Sequence, residues 1–584
     1  ADAFGSIPHD FIWFTLEKMG LDSRTIKLIN NLYSNNSSTY YCNFVSSEKI
    51  PIYKGVKQGC PLSMTLFCLT IDYFLMKVNS IPGCPELHGT PIPCLAYADD
   101  IVLLATSHSI LQKKVTYMNH LIQWSHMKFR PSKCGYFSKG KDLNPDLQII
   151  IDGSAIPKIN EQNQYMYLGV PHGTSKKHSI DEIINTSLKD YKIILDSHLS
   201  LRQKIEVYKT FILPRFSYAL RTHDISVLSL YSPDHTQSQG RESGRGFDQQ
   251  ISTMIKEAMG LPNNGINVEF MYSPSNFGGL GFTRVFEENI VQNINLAFRL
   301  LNSADDKISH CVKNELILTT KMRLRKGAEV DLGVALKWLC GVPVGTDECA
   351  TSHAPGTWWT RIQAAIDRAR KQYKTTCSFQ CSGDFVNLEI DYNNDGSIYH
   401  VFIDKENRQL LSETLHEVIG KFHFDRWKNL GTQGHVLPCI MMSSFSLSML
   451  KGNELKDWEW NFLVRARMCC LPTRFNMSHK ARNLIQLCRR CGLSNEKQSH
   501  VLCGCPFNNG LVTKRHHAIA ITLARYLSNL EFDVDYEVPP IEITTKLTPD
   551  IIVRTKGHVY LLDVKCGYDT LTNFEKLRNE NVNK

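Results

Sequence analysis

The stretch LAYADDIVLLA, residues 95–105, constrains the fold more than any other part of the chain. An apolar run enters the pair Asp99–Asp100 and a second apolar run leaves it. Two short strands joined by a tight turn place both carboxylates at the tip. Such a hairpin can simply have acidic turn residues. It can also hold Mg²⁺, because hard divalent cations take oxygen ligands and nucleotidyl transfer uses two such ions. A third carboxylate then usually comes from a neighbouring strand.

The chain has 584 residues, which is too long for one core and points to about four domains. Lys and Arg number 66 against 57 Asp and Glu, a net charge of +9 that permits a polyanionic partner without requiring one. No apolar run is expected to reach membrane-span length. The best candidate, MTLFCLTIDYFLM, contains Asp72 and reads as a buried helix, so no membrane partner is expected. No signal peptide is expected, and the 19 cysteines then suggest a reducing compartment with at most a metal site.

Residues 1 to about 170 alternate strand-like runs with helices, an α/β or α+β pattern. Residues 180–230 read as helical, with Ile205, Tyr208 and Ile212 on one face and Pro214 interrupting the pattern. A polar, Gly/Ser-rich stretch over 232–247 reads as a disordered insertion. RIQAAIDRARKQYK predicts an amphipathic basic helix with Ile362, Ala365, Ile366, Ala369 and Tyr373 on its apolar face. The last part holds a Cys/His cluster, then a helix, two strands and a helix.

Upstream of the acidic hairpin stands GVKQGCPLSMTLFCLTIDYFL, a turn followed by Pro61 near a helix start. Downstream stand MKFRPSKCGYFSKG, with Lys133 before a strand, and YMYLGV. In this order the stretches resemble the blocks of reverse transcriptases, most closely those of non-LTR retrotransposons. The resemblance implies a right-hand polymerase palm in which Asp99 is a catalytic metal ligand and Asp100 its partner. Gln58 and Gly59 match the block that positions template and incoming nucleotide. Lys133 matches the lysine near the departing pyrophosphate, and Tyr167, Leu168 and Gly169 match the primer grip.

ADAFGSIPH resembles the tail of the first polymerase block. Phe4 matches the aromatic that excludes a ribose 2′-OH, and Asp2 a position whose backbone faces the triphosphate. The family's first metal-binding Asp would then fall before Ala1 and the fingers would be missing. The expectation is of an N-terminally truncated fragment whose polymerase activity is doubtful.

LRQKIEVYKTFILPRFSYALRTH mixes Arg202, Lys204, Lys209, Arg215 and Arg221 with Tyr208, Phe211, Phe216 and Tyr218. Cations and aromatics so interleaved suit a nucleic-acid groove, as well as an ordinary amphipathic helix. The resemblance makes this region the thumb.

CRRCGLSNEKQSHVLCGCP gives Cys488, Cys491, His500 and Cys505 in a C-x2-C-x8-H-x4-C spacing that suits structural Zn²⁺, with Cys503 a competing ligand. Cys377 and Cys381 have no nearby second pair and read as core cysteines. LTPDIIVRTKGHVYLLDVKCGY reads as two strands around Lys556–Gly557, with Asp550 opening the first and Asp563 and Lys565 sharing a face of the second. Two acids and a lysine at a sheet edge can bind Mg²⁺ and activate water. Their place after the Cys/His cluster resembles the restriction-enzyme-like endonuclease of ribosomal-DNA-inserting retrotransposons. In many members the lysine lies on the following helix, where Lys576 stands, so both lysines remain candidates.

The resemblance thus implies an α+β multidomain chain: palm 1–175, helical thumb 176–305, linker 306–455, zinc knuckle region 456–508 and PD-(D/E)xK endonuclease 509–584. It implies target-primed reverse transcription in the nucleus, with element RNA, chromosomal DNA and dNTPs as partners. The alternative is a non-catalytic nucleic-acid scaffold with polymerase-like and nuclease-like domains, against which the intact acids argue. An intron-encoded maturase would end in a different nuclease.

Overall fold

The computed structural model describes residues 3–42, 44–139, 148–160, 165–172, 180–225, 227–230, 246–261, 267–324, 329–343, 356–394, 396–431, 433–434, 437, 455–478, 485–537, 548–564 and 566. It opens with α1 (His9–Lys18) and α2 (Ser23–Tyr33), the latter started by Asp22, whose carboxylate accepts from the N–H groups of Arg24 and Thr25. Four short strands follow: β1 (Ser37–Ser38) pairs with β4 (Ile50–Pro51), and β2 (Tyr41–Cys42) with β3 (Val45–Ser46). Helix α3 (Pro61–Asn79) carries proline in its first turn, where no intrahelical N–H is needed.

By length and composition α3 could cross a membrane, with an 18-residue window of mean hydropathy 1.3, so the expectation that no run reaches span length is corrected. The helix extends beyond MTLFCLTIDYFLM through Pro61–Ser63 and Lys77–Asn79. In the fold Leu66, Phe67, Ile71 and Phe74 of α3 join Phe11, Ile12 and Leu16 of α1 in one core.

Hairpin β5 (Glu86–Leu87) and β6 (Thr90–Pro91) precedes β7 (Cys94–Tyr97) and β8 (Asp100–Leu103), an antiparallel pair with Tyr97 opposite Asp100. Helix α4 (His108–Trp124) adds Met118 and Ile122 to the core. Then come the hairpins β9 (Ile150–Ile151) with β10 (Ser154–Ala155) and β11 (Tyr165–Tyr167) with β12 (Val170–His172). The strand expected after Lys133 reduces to a single bridge between Tyr136 and Lys158.

A mainly helical body follows: α5 (Asp181–Asp196), α6 (Leu201–Val207), α7 (Pro214–Thr222), α8 (Val227–Leu230) and α9 (Phe247–Ala258). Ser200 and Gln203 form a capping box that starts α6. Ile205, Tyr208 and Ile212 are buried together, as their spacing predicts. Residues 208–212 widen into a π-helical turn that brings the chain to Pro214 at the start of α7. Phe247, placed in the expected insertion, instead begins α9 and is fully buried. Phe247, Ile251 and Ile255, four residues apart, are all buried and anchor that helix.

Next are α10 (Glu269–Tyr272), α11 (Val285–Leu301), α12 (Asp306–Arg323), α13 (Leu332–Leu339) and α14 (Trp358–Tyr373). All five residues on the predicted apolar face of α14 are buried. A three-stranded antiparallel sheet follows, β13 (Thr375–Ser382), β14 (Phe385–Asn394) and β15 (Ser397–Ile403), with β14 central. Cys377 is buried there but Cys381 is exposed, so only one of the two expected core cysteines is one. Helices α15 (Leu410–Lys428) and α16 (Asp457–Arg467) complete the body. One apolar cluster runs from Ile180 to Met468, so the boundaries expected at 305/306 and 455/456 do not separate cores.

Inside this body lies a charged network. Asp248 accepts from the N–H groups of Val285 and Phe286 and caps α11. Glu287 meets Arg284, His423 and the Tyr373 hydroxyl, and His423 meets Glu269 through its other nitrogen. Burial alone would raise Glu287, but Arg284 and His423 outweigh it and hold the carboxyl well below its usual range. Burial alone would lower His423, but Glu287 and Glu269 outweigh it and raise the imidazole.

The last part starts with α17 (Arg474–Ser478) and the cysteine-rich segment, then α18 (Asn509–Asn529). The antiparallel sheet β16 (Asp533–Tyr536), β17 (Ile551–Thr555) and β18 (His558–Leu562) follows, with β17 central. It has one strand more than the two expected. Ile551, Ile552 and Val553 of β17 are buried.

Candidate functional site

The Asp99–Asp100 pair stands where the hairpin predicts. Ala98 takes a left-handed φ of 53° and the chain reverses through Ala98 and Asp99, so both carboxylates are exposed at the tip. Ala98, Ile101 and Leu103 pack on the α1–α3–α4 core and fix the hairpin from behind. Phe4 packs on the same core, its ring stacked on Phe67 at 4.1 Å. Its carbonyl accepts from the N–H of Val56 at 2.9 Å, and the carbonyl of Ile7 accepts from Gly55 at 2.7 Å. A Cβ on Gly55 would lie 2.8 Å from the Gly5 Cα, so this close approach needs glycine. Gln58 and Gly59 follow at the exposed turn before α3.

The second hairpin, β11–β12, turns through Leu168 (φ 50°) and Gly169 (φ 73°). Positive φ at both central residues is the tight turn whose twist suits a hairpin. Tyr167 lies close enough to Asp100 to feel its charge: burial first, then the Asp100 carboxylate, raises the Tyr167 hydroxyl above its ordinary value. Tyr165 is raised likewise, by burial, then by Cys134 and Asp100. The Tyr165 hydroxyl donates to the Lys133 carbonyl at 3.1 Å, and the lysine side chain is exposed. The structure therefore brings Asp100, Lys133 and Tyr167 into one neighbourhood. An apolar cavity of about 470 Å³, lined by Leu95, Ile101, Tyr136, Tyr165 and Tyr167 among others, lies behind the two hairpins. Adjacent exposed carboxylates are hard oxygen donors, and they fit a divalent cation.

The basic face of α6–α7 is largely used within the protein. Lys204 donates to the Leu195 carbonyl, Lys209 pairs with Glu206, Arg215 with Asp190, and Arg221 with Gln292. Tyr208 and Phe216 are core residues, while Phe211 and Tyr218 are exposed. The mixed composition thus splits into an aromatic core, internal ion pairs and two outward rings. The Tyr218 hydroxyl donates to the Leu168 carbonyl, which joins this helix to the second hairpin.

The Cys/His cluster closes as its spacing implies. The ligand atoms of Cys488, Cys491, His500 and Cys505 all lie within 4.8 Å of one another. Cys488 Sγ is 3.9 Å from Cys505 Sγ, and Cys491 Sγ is 3.3 Å from His500 Nε2. Tetrahedral zinc with Zn–S bonds of about 2.3 Å needs sulfurs about 3.8 Å apart, so the residues fit that ion. The N–H groups of Cys491 and Arg490 hold the Cys488 thiol down to about 6, which favours the ligating thiolate. Cys503, the competitor, instead accepts from Arg515 at 3.6 Å.

At the end of the chain, Ile551 of β17 pairs with Leu562 of β18, so Asp550 and Asp563 flank the same end of the pair. The N–H of Val564 donates to Asp550 Oδ2 at 2.6 Å and locks the two chain segments together. Asp550 also meets His516 of α18, Nε2 to Oδ2 at 3.2 Å, a partner sequence reasoning missed. Its neighbour His517 reaches the Tyr536 hydroxyl and Glu537. The signal available was the pair of adjacent histidines on one helix. Asp2, Lys565 and Lys576 lie outside the described residues.

Residues 1–172 match the family described as reverse transcriptase (RNA-dependent DNA polymerase). The Pol polyprotein of the type-1 retrotransposable element R2 of Popillia japonica is 27% identical over 290 residues, 48% of this chain and 38% of that protein. That of the type-2 element R2DM of Drosophila melanogaster is 21% identical over 576 residues, 97% of this chain and 45% of that protein. A jockey element RNA-directed DNA polymerase from Drosophila funebris is 24% identical over 38% of this chain and 25% of its own length. The matches span less than half the length of each of these relatives. Residues 1–172 are a reverse transcriptase domain of the kind found in non-LTR retrotransposons.

Proposed function

We propose that this chain supplies the Asp99–Asp100 hairpin of a centre that copies element RNA into DNA, and that it nicks chromosomal DNA at Asp550 and Asp563, the freed 3′-OH serving as primer. The observation that carries the polymerase reading is the exposed Asp99–Asp100 tip, with Tyr165 and Tyr167 close enough to feel the Asp100 charge and the Lys133 backbone bonded to Tyr165. Asp99 and Asp100 would hold Mg²⁺, which stabilises charge on the attacking and leaving oxygens. The Leu168–Gly169 turn supports the primer end, Gln58 and Gly59 meet the template and incoming dNTP, and the exposed Lys133 amine lies ready for the departing pyrophosphate. Phe4 restricts the sugar, its ring held by Phe67.

At the second centre Asp550 and Asp563 would hold the same kind of ion, and Lys565 or Lys576 activates water. The four-ligand cluster 488/491/500/505 would hold structural zinc, since a full shell leaves no position for water. A nuclear location follows from a chromosomal target.

The polymerase test is extension of a DNA primer on an RNA template in Mg²⁺. Asp99→Ala and Asp100→Ala each abolish it, and synthesis undiminished in both would remove the hairpin from catalysis. The nuclease test is nicking of target DNA in Mg²⁺. Asp563→Ala abolishes nicking and spares DNA binding, whereas equal nicking by the variant places that centre elsewhere.

A further inference from the structure

We infer that His516 is the positioning residue of the carboxylate pair at the end of β17, fixing one oxygen of Asp550 so that the other is presented beside Asp563. This rests on the nuclease reading above.

Asp550 immediately precedes β17 and is held at three points. Its carbonyl accepts from the Glu537 N–H at 3.0 Å, at the end of β16. Its Oδ2 accepts from the Val564 N–H at 2.6 Å, at the end of β18. The same Oδ2 lies 3.2 Å from His516 Nε2, on α18. A carboxylate oxygen only accepts, so the imidazole donates through Nε2–H. His516 and Val564 both meet Oδ2, and among the described residues Oδ1 is left for a cation. The Asp550 side chain is 14% exposed and the His516 ring 27%, so the bond is sheltered while the site stays open.

The ring is itself held in place. His517 Nδ1 lies 3.0 Å from the Tyr536 hydroxyl and 2.8 Å from Glu537 Oε1, which fastens α18 to the end of β16. Glu537 is the residue whose N–H holds the Asp550 backbone, so helix and strand grip Asp550 through one shared residue. The residue before it, Arg515, bonds Cys503, and α18 begins four residues after Cys505. The cysteine cluster thus sets where α18 starts, and α18 sets where His516 stands. A group that fixes a ligating carboxylate from outside typically changes metal affinity by about 10–100-fold when removed.

The experiment compares the full chain with His516→Gln, which keeps an N–H donor, and His516→Leu, which fills the space without one. Two quantities are read: the Mg²⁺ concentration giving half-maximal DNA nicking, and calorimetric affinity for Mn²⁺ without DNA at the site that Asp563→Ala removes. The leucine variant should weaken both by about tenfold with an unchanged melting temperature, and glutamine should restore most of the loss. Should the leucine variant not fold, the more adaptable methionine takes its place. Wild-type Mn²⁺ affinity and metal dependence in the donor-less variant overturn the inference while the nuclease reading stands. An Asp563→Ala chain that nicks and binds Mn²⁺ as the parent does overturns the nuclease reading itself.

Discussion

The Tyr218 hydroxyl donates to the carbonyl of Leu168 at 2.5 Å, across 50 residues of sequence. A Cβ on Gly169 would stand 3.7 Å from the same ring, so the tyrosine lies flush against the turn. That turn belongs to the hairpin whose Tyr167 feels the Asp100 charge, so the helical body reaches the carboxylate centre through one phenol. Tyr218→Phe keeps the ring and deletes the bond, at a cost of about 1 kcal/mol. Amide hydrogen exchange over 165–172 should speed up by about fivefold, the factor that energy corresponds to, with the global melting temperature nearly unchanged. Unaltered exchange there would mean the bond does not restrain the turn.

The cysteine cluster predicts a difference between neighbours. Cys505 joins the four-ligand group, and Cys503 is turned toward Arg515. Purified chain should carry about one zinc. Cys503→Ala should keep it and Cys505→Ala should lose it, read by metal analysis together with protease sensitivity of 485–508. Equal zinc in both variants would unseat Cys505 as a ligand.

How far these features were legible follows from how local their causes are. The hairpin tips at 98–99 and 556–557 are written in the residues around them, apolar runs on either side of a turn. The C-x2-C pair is equally local. The fate of the α7 cations was not, because Arg215 finds Asp190 25 residues back and Arg221 finds Gln292 71 residues ahead. Composition reports positive charge but not whether a distant acceptor has already claimed it. His516 was missed for the same reason, since it meets Asp550 34 residues on. Cys381 shares the parity of Cys377 and Phe379 and pairs with the buried Val386, yet it is exposed near the end of β13. Period-two patterning gives the face of a strand and not where its cover ends.

The aromatics of residues 208–218 divide into two classes that can be told apart by mutation. Phe216 is fully buried, its ring 4.7 Å from that of Phe247, and Phe211 is 62% exposed. Phe216→Ala should cost about 3–5 kcal/mol by denaturant unfolding. Phe211→Ala should change stability by no more than about 0.5 kcal/mol and weaken binding of a primer–template duplex severalfold. A large stability loss at Phe211 would place it in the core after all.

The buried network sets a pH dependence whose sign can be worked out. Asp248 is pushed up to about 7, chiefly by burial, against the N–H groups of Phe286 and Val285 and the charge of Arg284. A raised acid stabilises fully below its unfolded value of 3.8 and loses that contribution as pH rises to about 7. His423 lies above its unfolded value of 6.5, so its contribution is present below that pH and is lost as pH rises through the folded value. Both ring nitrogens face carboxylates, which the imidazolium alone satisfies as a double donor. Glu287 works in the other direction: its contribution is present above 4.5 and is lost as pH falls toward its depressed folded value. The helical body should therefore be most stable in the mildly acidic range and melt lower at pH 8 than at pH 6. Asp248→Asn, which keeps one acceptor for the end of α11, should flatten the decline between pH 4 and 7 and leave the His423 portion above 6.5. Calorimetric melting across this range checks the assignment, and a parent chain that melts higher at pH 8 than at pH 6 would reverse it.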